Sequence, residues 1–335
     1  HIMRRRQRQM CIRDRGGIAA SGGTLSNLNA LIAARNNAGL GSNPNSVLLI
    51  SEDAHSSFIK CIRIMGLDAA NLVRIKTDNQ GRMDINNLRK SLNKCLIENK
   101  KIFAIVATLG TTVRGAIDPI KEISEICKER NIWLHIDGSI GGIFALSSIQ
   151  IEGLNNINQA NSITINPQKI IGITKTSSLL LVANMNTLQK TFSTGLPYIS
   201  SKEDIVNRGE IGIQGSRPAE VIKLWLGLRF LGLNGIEDIL KSSIKRKDFF
   251  IDHIVKNKFE IYSGPLHIVS FIPKGLTAKD TDFWTHSKVN ELMKNNYMLS
   301  RPKFKGKYYL RVVMGNYNTT DSHIEELLRF LDAYQ

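Results

Sequence analysis

Short apolar segments alternate with helix-like segments along the chain up to about residue 219. The apolar segments are only a few residues long, rich in leucine or β-branched residues, and apolar on both faces. This pattern is typical of buried strands in a mostly parallel sheet. The predicted strands cover residues 46–51, 102–109, 132–137, 162–165 and 179–182.

Between these strands, apolar residues recur at helical spacing. Leu25, Leu28 and Leu31 share one helical face, and Ile120 and Ile123 share another directly after a proline. Strands that alternate with helices predict an α/β core with right-handed crossover connections. Beyond residue 219 the alternation stops, and a mixture of strands and helices predicts a smaller α+β domain.

These patterns predict three parts. Residues 1–16 form a basic leader, either disordered or added artificially. Residues 17–240 form the large domain, with a mostly parallel sheet flanked by helices. Residues 241–335 form a small C-terminal α+β domain.

Charge and composition narrow the function. The chain has 335 residues, with 45 basic and 29 acidic side chains and a formal net charge of +16. Its basic residues are dispersed, except for a cluster at residues 4–15, so we do not expect a nucleic-acid partner. No apolar run approaches the ~20 residues that span a bilayer. The cysteines are too scattered for a zinc site or a disulfide framework, so we expect no metal and a cytoplasmic location.

Polar residues with chemical potential follow several of the predicted strands. His55, Asp137 and Lys169 each lie at or just beyond a strand end, where open α/β sheets bind ligands. Gly22 and Gly23 precede a helix, and a helix N-terminus with glycine suits an anion such as phosphate. Each feature also has an ordinary interpretation: a helix start, a helix-capping histidine, a buried turn-capping carboxylate or a surface lysine.

The order of these motifs resembles the group II pyridoxal-phosphate-dependent amino-acid decarboxylases, which include the glutamate, histidine and aromatic amino-acid enzymes. The resemblance extends from residue 17 to the C-terminus. It is carried by the segments SGGTLSNLNALIAAR, AHSSFIKC, ATLGTTVRGAIDPIKEI, WLHIDGSIGG, SITINPQK, GSRPAEVIKLWLGLRFLG and YYLRVVMGN. It implies the type I fold of pyridoxal-phosphate-dependent transferases and a homodimer with its active site at the subunit interface.

The resemblance also implies catalytic roles. Lys169 binds the cofactor as an internal aldimine, and Asp137 pairs with the pyridine nitrogen. His55 stacks on the cofactor ring, and Arg311 pairs with the substrate α-carboxylate. Tyr198 lies on a segment that resembles the mobile catalytic loop and returns a proton to Cα after CO2 has left. The implied reaction converts an L-amino acid to its amine and CO2 through an external aldimine and a quinonoid.

Further residues are implied to contact the cofactor. Gly23, Thr24 and Asn166 bind the phosphate, and Thr112 lies near the ring hydroxyl. Ser216 reaches the phosphate of the neighbouring subunit. The remaining contacts are assigned to Ser139 and Gln168.

The sequence departs from the family at several points. Gln168 occupies the position before the lysine where the family usually has histidine, and Gly138, Ser139 and Ile140 replace two alanines and an aromatic residue. Only a short leader precedes the SGGT motif, where relatives carry a longer segment. Two alternatives therefore remain open: other chemistry with the same cofactor (a carbon–carbon lyase or an aldehyde-forming decarboxylase), or a catalytically impaired family member. Acidic, aromatic and basic amino acids are all candidate substrates.

Overall fold

A seven-stranded sheet forms the centre of the protein, with the strand order β1-β7-β6-β5-β4-β2-β3. The computed structural model describes residues 15–174, 177–195 and 207–332. The strands are β1 (Gly16–Ala20), β2 (Ser46–Ser51), β3 (Leu72–Ile75), β4 (Lys101–Thr108), β5 (Trp133–Gly138), β6 (Ser162–Ile165) and β7 (Ser178–Val182). Strands β6, β5, β4, β2 and β3 are adjacent and parallel. Strand β7 runs antiparallel to both of its neighbours, β1 and β6.

The predicted α/β architecture is confirmed, and each predicted strand is present within one residue of its predicted limits. Every residue of β2 and of β5 is buried, as expected for strands covered on both faces. Two further strands, β1 and β3, were not predicted. Both lie at the edges of the sheet.

Helices cover both faces of the sheet. They are α1 (Gly23–Asn37), α2 (Ser57–Ile64), α3 (Ile85–Ile97), α4 (Ile120–Glu129) and α5 (Met185–Phe192). Alternate residues of β2 point to opposite layers. Leu48 and Ile50 pack with apolar residues of α1 and α2, whereas Val47 and Leu49 pack with those of α3 and α4. The sheet is therefore the middle of three layers.

A long helix, α6 (Glu220–His253), joins the sheet layers to the C-terminal part. It is kinked at Gly232, whose φ of 60° and ψ of −175° are not helical. Leu224 and Leu240 of this helix pack in the core on the sheet, whereas Phe250 packs in a second core with Phe271. The apolar contacts of α6 thus change partners between residues 240 and 250, and the domain limit at residue 240 stays a prediction.

The second core lies against a three-stranded antiparallel sheet with the order β12-β9-β8. The elements of this part are β8 (Phe259–Ser263), β9 (Ile268–Pro273), α7 (Ala278–Lys294), β10 (Lys303–Phe304), β11 (Lys307–Tyr308), β12 (Leu310–Val313) and α8 (Asp321–Asp332). Strands β10 and β11 form a separate short pair. An α+β composition was predicted for this part of the chain, and the structure has it.

Three cysteines fall within the described ranges, and all three are buried free thiols: Cys61, Cys95 and Cys127. None of the helices in the described part of the chain is long and apolar enough to cross a membrane. The predicted basic leader lies, except for its last two residues, outside the described residues.

Candidate active site

A cavity of about 190 Å³ opens at the carboxyl ends of β4, β5 and β6. Ligands of open α/β sheets bind at this edge, because the loops that follow parallel strands converge there. Its lining comes from the start of α1, from the segment after β2 and from the three strand ends. The lining residues are Gly23, Thr24, Asn27, His55, Ser57, Thr108, Gly110, Thr112, Asp137, Ser139, Ile140, Asn166 and Lys169.

Most of the residues predicted from the sequence are brought together in this lining. They are Gly23, Thr24, His55, Thr112, Asp137, Ser139, Asn166 and Lys169. Arg311, Gln168 and Ser216 are described but lie outside the lining. Tyr198 lies outside the described residues.

Asp137 is the buried carboxylate of the cavity. It lies near the end of β5, only 4% exposed, between Thr108 of β4 and Thr164 of β6. Each carboxylate oxygen accepts a hydrogen bond: Oδ1 from the backbone N–H of Ser139 at 3.1 Å and Oδ2 from Nδ2 of Asn27 at 3.2 Å. These two donors fix the orientation of the carboxylate and offset the cost of burying its charge.

Lys169 is the basic group of the cavity. It ends a short 3₁₀ turn, Pro167–Lys169, which directly follows β6 and the cavity residue Asn166. Desolvation lowers the pKa of Lys169, the positive charge of Arg311 lowers it further, and the negative charge of Asp137 opposes both effects. A lysine with a lowered pKa has a larger share of free amine at neutral pH, which is the form that reacts with carbonyl groups.

His55 faces the cavity from the segment between β2 and α2. Its Nδ1 accepts a hydrogen bond from the backbone N–H of Ser57 at 3.1 Å. Desolvation lowers its pKa, Asp137 opposes this, and Lys169 and Lys60 lower it further. A lowered pKa favours the neutral ring, whose proton is on Nε2 because Nδ1 is the acceptor.

The start of α1 provides a place for an anion. A helix N-terminus has unpaired N–H groups and a favourable dipole. Glycine at position 23 leaves room for its neighbours, because a Cβ there would lie 2.6 Å from Nδ2 of Asn166 and 2.9 Å from Oγ of Ser139, and these side chains would have to move. The missing side chain thus lets two polar groups approach the first turn of the helix.

Arg311 approaches the cavity from the small sheet. From β12 its Nε donates a hydrogen bond to Oγ of Ser300 at 2.8 Å, and its Nη1 donates to the carbonyl oxygen of Thr112 at 2.5 Å. Thr112 is itself a lining residue. Arg311 therefore connects the C-terminal part to the loop after β4, and desolvation lowers its pKa.

Gln168 and Ser216 have other surroundings. The side-chain oxygen Oε1 of Gln168 accepts a hydrogen bond from the backbone N–H of Ser177, so its amide is directed to the start of β7. Ser216 is exposed and lies just before α6. Their predicted contacts with a cofactor stay predictions.

Five lining residues were not predicted as site residues: Asn27, Ser57, Thr108, Gly110 and Ile140. A signal was available for Asn27, which lies one helical turn after Gly23 and so shares its face of α1. Thr108 ends a predicted strand, as Asp137 does. The hydroxyls of Ser57 and Thr108 are buried and have no hydrogen-bond partner among the described residues.

The protein has an α/β fold whose strand-end cavity brings together a helix N-terminus, a lysine and a carboxylate. The pyridoxal-dependent decarboxylase conserved domain matches residues 2–272 of the chain. The aromatic-L-amino-acid decarboxylase of Bacillus atrophaeus is 31% identical over 327 residues, which cover 95% of this chain and 68% of that protein. The chain belongs to the pyridoxal-dependent decarboxylase family, whose cofactor is pyridoxal phosphate.

Other relatives extend this comparison. The acidic amino acid decarboxylase GADL1 of Mus musculus is 28% identical, and the match covers 95% of this chain but only 62% of the mouse protein. The crystal structure of mouse CSAD in its apo form has a TM-score of 0.86 at 24% identity, covering 99% of this chain and 74% of that one. The structure of Oryza sativa TDC with PLP and tryptamine has a TM-score of 0.88 at 20% identity, covering 96% and 71%. These structures share the fold.

The residues present fit the cofactor. Pyridoxal phosphate combines a phosphate, an aldehyde, a ring hydroxyl and a pyridine nitrogen. The cavity contains a helix N-terminus, an amine of lowered pKa at Lys169 and an oriented carboxylate at Asp137. The unpaired hydroxyls of Ser57 and Thr108 are further hydrogen-bonding groups for such a polar ligand.

Proposed function

We propose that this chain decarboxylates an L-amino acid, releasing the amine and CO2, with pyridoxal phosphate bound in the strand-end cavity. One observation carries the proposal: an oriented carboxylate, a lysine of lowered pKa and a helix start converge on one cavity from separate elements. Family membership supports the same reaction.

The cofactor would be held by residues of the sheet and of α1. Lys169 would bind it covalently through Nζ, and Asp137 would keep the pyridine nitrogen protonated. The first turn of α1, together with Asn166, would hold the phosphate. When bound, the cofactor accepts the electron pair that the substrate retains as CO2 leaves.

The substrate would be held by groups that border the cofactor. Arg311 would pair with the α-carboxylate, because it is a half-buried cation whose position two hydrogen bonds fix. His55, neutral and with its proton on Nε2, would lie on the ring and help to orient the same carboxylate. Orienting the carboxylate selects which bond to Cα breaks. Tyr198 would return the proton to Cα, an assignment based on the resemblance of its segment.

We also propose a homodimer. The first half of α6 has a stripe of exposed apolar residues at helical spacing, and an exposed stripe of this kind is typical of an interface. It comprises Val221, Ile222, Trp225, Leu226 and Phe230. Ser216 lies just before this helix, where it could serve the neighbouring subunit. Light scattering after size-exclusion chromatography tests this, and a monomer at micromolar concentration would contradict it.

The cytoplasm is the proposed location. The buried free thiols of Cys61, Cys95 and Cys127 support it, because thiols stay reduced in that compartment.

A substrate screen tests the proposed reaction. The protein is loaded with pyridoxal phosphate and given acidic, aromatic and basic L-amino acids, while CO2 and the organic product are measured together. We expect equal amounts of CO2 and amine from one class of substrate, dependent on the cofactor. CO2 with an aldehyde would indicate the oxidative reaction instead, and folded, cofactor-loaded protein that releases no CO2 would contradict the proposal.

A further inference from the structure

A continuous line of buried hydrogen bonds leads from the interior of the sheet to Asp137. Nε1 of Trp133 donates to Oγ of Ser162 at 2.8 Å, and the same Oγ lies 2.8 Å from Nδ1 of His135. Nε2 of His135 lies 3.0 Å from Oδ1 of Asn27. Nδ2 of Asn27 then donates to Oδ2 of Asp137 at 3.2 Å.

The pleat of the sheet explains this line. Residues 133, 135 and 137 are alternate positions of β5, so their side chains share one face. Asn27 reaches them from α1, which packs on that face, and Ser162 lies opposite His135 in β6. Trp133, His135 and Ser162 do not line the cavity.

The two ends, together with a neutral ring at His135, fix the direction of every hydrogen bond. Asp137 as a carboxylate only accepts, so Asn27 must present its NH2 group to it and its oxygen to His135. His135 must therefore carry its proton on Nε2, and its Nδ1 must accept from the hydroxyl of Ser162. The indole N–H of Trp133 only donates, which matches the remaining lone pair of Ser162.

Burial of these side chains strengthens the hydrogen bonds of the line and keeps the ring of His135 neutral. Asn27, His135 and Ser162 are each at most 1% exposed. Desolvation lowers the pKa of His135 to about 4, although Asp137 and a backbone hydrogen bond with Ser162 oppose this shift, so the ring is neutral at pH 7. Each donor in the line thus points its positive end toward Asp137, and hydrogen bonds that polarise one another in a low dielectric strengthen the last of them, from Asn27 to Oδ2 of Asp137.

We propose that Trp133, Ser162, His135 and Asn27 are positioning residues that hold the carboxylate of Asp137 turned toward the pyridine nitrogen of the cofactor. The affinity for that nitrogen then depends on Ser162, three hydrogen bonds away from the carboxylate. This inference rests on the proposed function, because Asp137 is taken to be the partner of the ring nitrogen.

The direct test measures dissociation constants of the apoprotein for two ligands. One is pyridoxal phosphate, and the other is its 1-deaza analogue, in which C–H replaces the ring nitrogen. The variants are Ser162→Ala, which breaks the line without touching the cavity, and His135→Leu, which removes the donor to Asn27. His135→Gln restores a side-chain N–H at that point. Ser243→Ala is the matched control, since Ser243 is a fully buried serine in α6 whose hydroxyl donates to the carbonyl of Leu240 in the same helix.

The expected result is a loss of preference for the ring nitrogen. The affinity ratio of pyridoxal phosphate to its analogue should fall by about three- to ten-fold in Ser162→Ala and about ten-fold in His135→Leu. His135→Gln should recover most of the ratio, and Ser243→Ala should leave it unchanged. Equal weakening of both ligands, or no weakening, overturns the inference while the proposed function stands. If the wild-type protein binds neither ligand, both the inference and the proposed function are contradicted.

A second measurement is made on the wild-type protein, and a variant is needed only to assign the signals. In ¹⁵N-histidine-labelled wild-type apoprotein at neutral pH, His135 should show a protonated Nε2 and an unprotonated Nδ1. The His135→Gln spectrum assigns its signals. A proton on Nδ1, or on both nitrogens, would overturn the proposed line of hydrogen bonds even if Ser162→Ala failed to fold.

Discussion

Asp137 and Arg311, the two oppositely charged groups assigned to cofactor and substrate, are fixed in different ways. The carboxylate oxygens of Asp137 accept hydrogen bonds from Ser139, directly after β5, and from Asn27 of the helix packed on the sheet. Arg311 belongs to the small sheet and reaches across to the carbonyl oxygen of Thr112. The position of Asp137 is thus internal to one core, whereas that of Arg311 depends on how the two parts of the chain pack together.

This difference indicates that cofactor retention and turnover are separable. Substitutions at or around Asp137 should weaken both cofactor binding and turnover, because the cofactor is needed for every turnover. Changes on the Arg311 side should spare the cofactor and affect only the substrate. The following substitutions test the separation, from the largest expected effect to the smallest.

Replacing Lys169 by alanine should have the largest effect. It removes the amine that would hold the cofactor covalently, so kcat should fall by about a thousand-fold or more. Stopped-flow or CO2-release assays on the loaded variant measure this. Lys121→Ala, an exposed lysine of α4, is the control and should behave as wild type. Retention of more than a tenth of wild-type kcat by Lys169→Ala would exclude the assigned role.

Asp137→Asn should affect both cofactor and turnover. The amide keeps the size of the side chain but removes its charge, and charge-assisted hydrogen bonds contribute about 1.5–3 kcal/mol. We expect the cofactor dissociation constant to rise by about ten- to a hundred-fold and kcat to fall at least as much. Equilibrium dialysis of the cofactor and the CO2 assay measure the two quantities. A lower kcat with unchanged cofactor affinity would contradict the assignment of Asp137 to the cofactor.

Arg311→Lys should affect the substrate alone. Lysine keeps the positive charge but not the planar set of donors that bonds Ser300, Thr112 and a carboxylate at once. We expect kcat/KM to fall by about ten- to fifty-fold while the cofactor dissociation constant stays within two-fold. The proposed separation of cofactor retention from turnover fails if cofactor affinity falls in parallel.

The pH dependence of stability tests the surroundings of His267, which lies where the C-terminal part of the chain packs against the large sheet. It is 1% exposed, precedes β9, and its ring stacks on Phe144 beside the large sheet at 6.0 Å. Desolvation, and then the cations Arg246 and Lys169, lower its pKa to about 4. The unfolded chain binds this proton near pH 6.5 and the folded chain only near pH 4, so this group costs stability as the pH falls from 6.5 toward 4.

Replacing His267 by leucine should remove the part of the acid-induced loss of stability that this histidine causes. In the wild type this one group should lower the free energy of unfolding by about 2 kcal/mol between pH 7.5 and pH 5. Urea unfolding of His267→Leu at both pH values should show a correspondingly smaller decrease. Identical pH dependence in the two proteins would show that His267 titrates normally in the folded state.

The sheet was predictable from the sequence because its central strands are apolar on both faces. The segment SVLLIS is apolar on both faces, which favours a buried strand. The structure has β2 with the predicted limits. Strand β1, with the sequence GGIAA, carries no such signal. It is ordered by pairing with β7, a tertiary contact that local pattern does not report.

The site was predictable to the extent that it consists of strand ends and helix starts. Asp137 lies near the end of one apolar strand and Lys169 just beyond another, so the topology of a parallel sheet brings them together. The bond between Arg311 and Thr112 joins residues 199 positions apart, and no local pattern reports it. Gln168 was expected at the cofactor, but the backbone N–H of Ser177 competes for its amide oxygen.

The most direct test of the account is to find which lysine holds the cofactor. The wild-type protein is loaded with pyridoxal phosphate, reduced with borohydride and digested, and the modified peptide is sequenced by mass spectrometry. The account predicts a single stoichiometric modification at Lys169, in the peptide that includes Asn166. Modification of a different lysine, or protein that retains no cofactor after reduction, would contradict it.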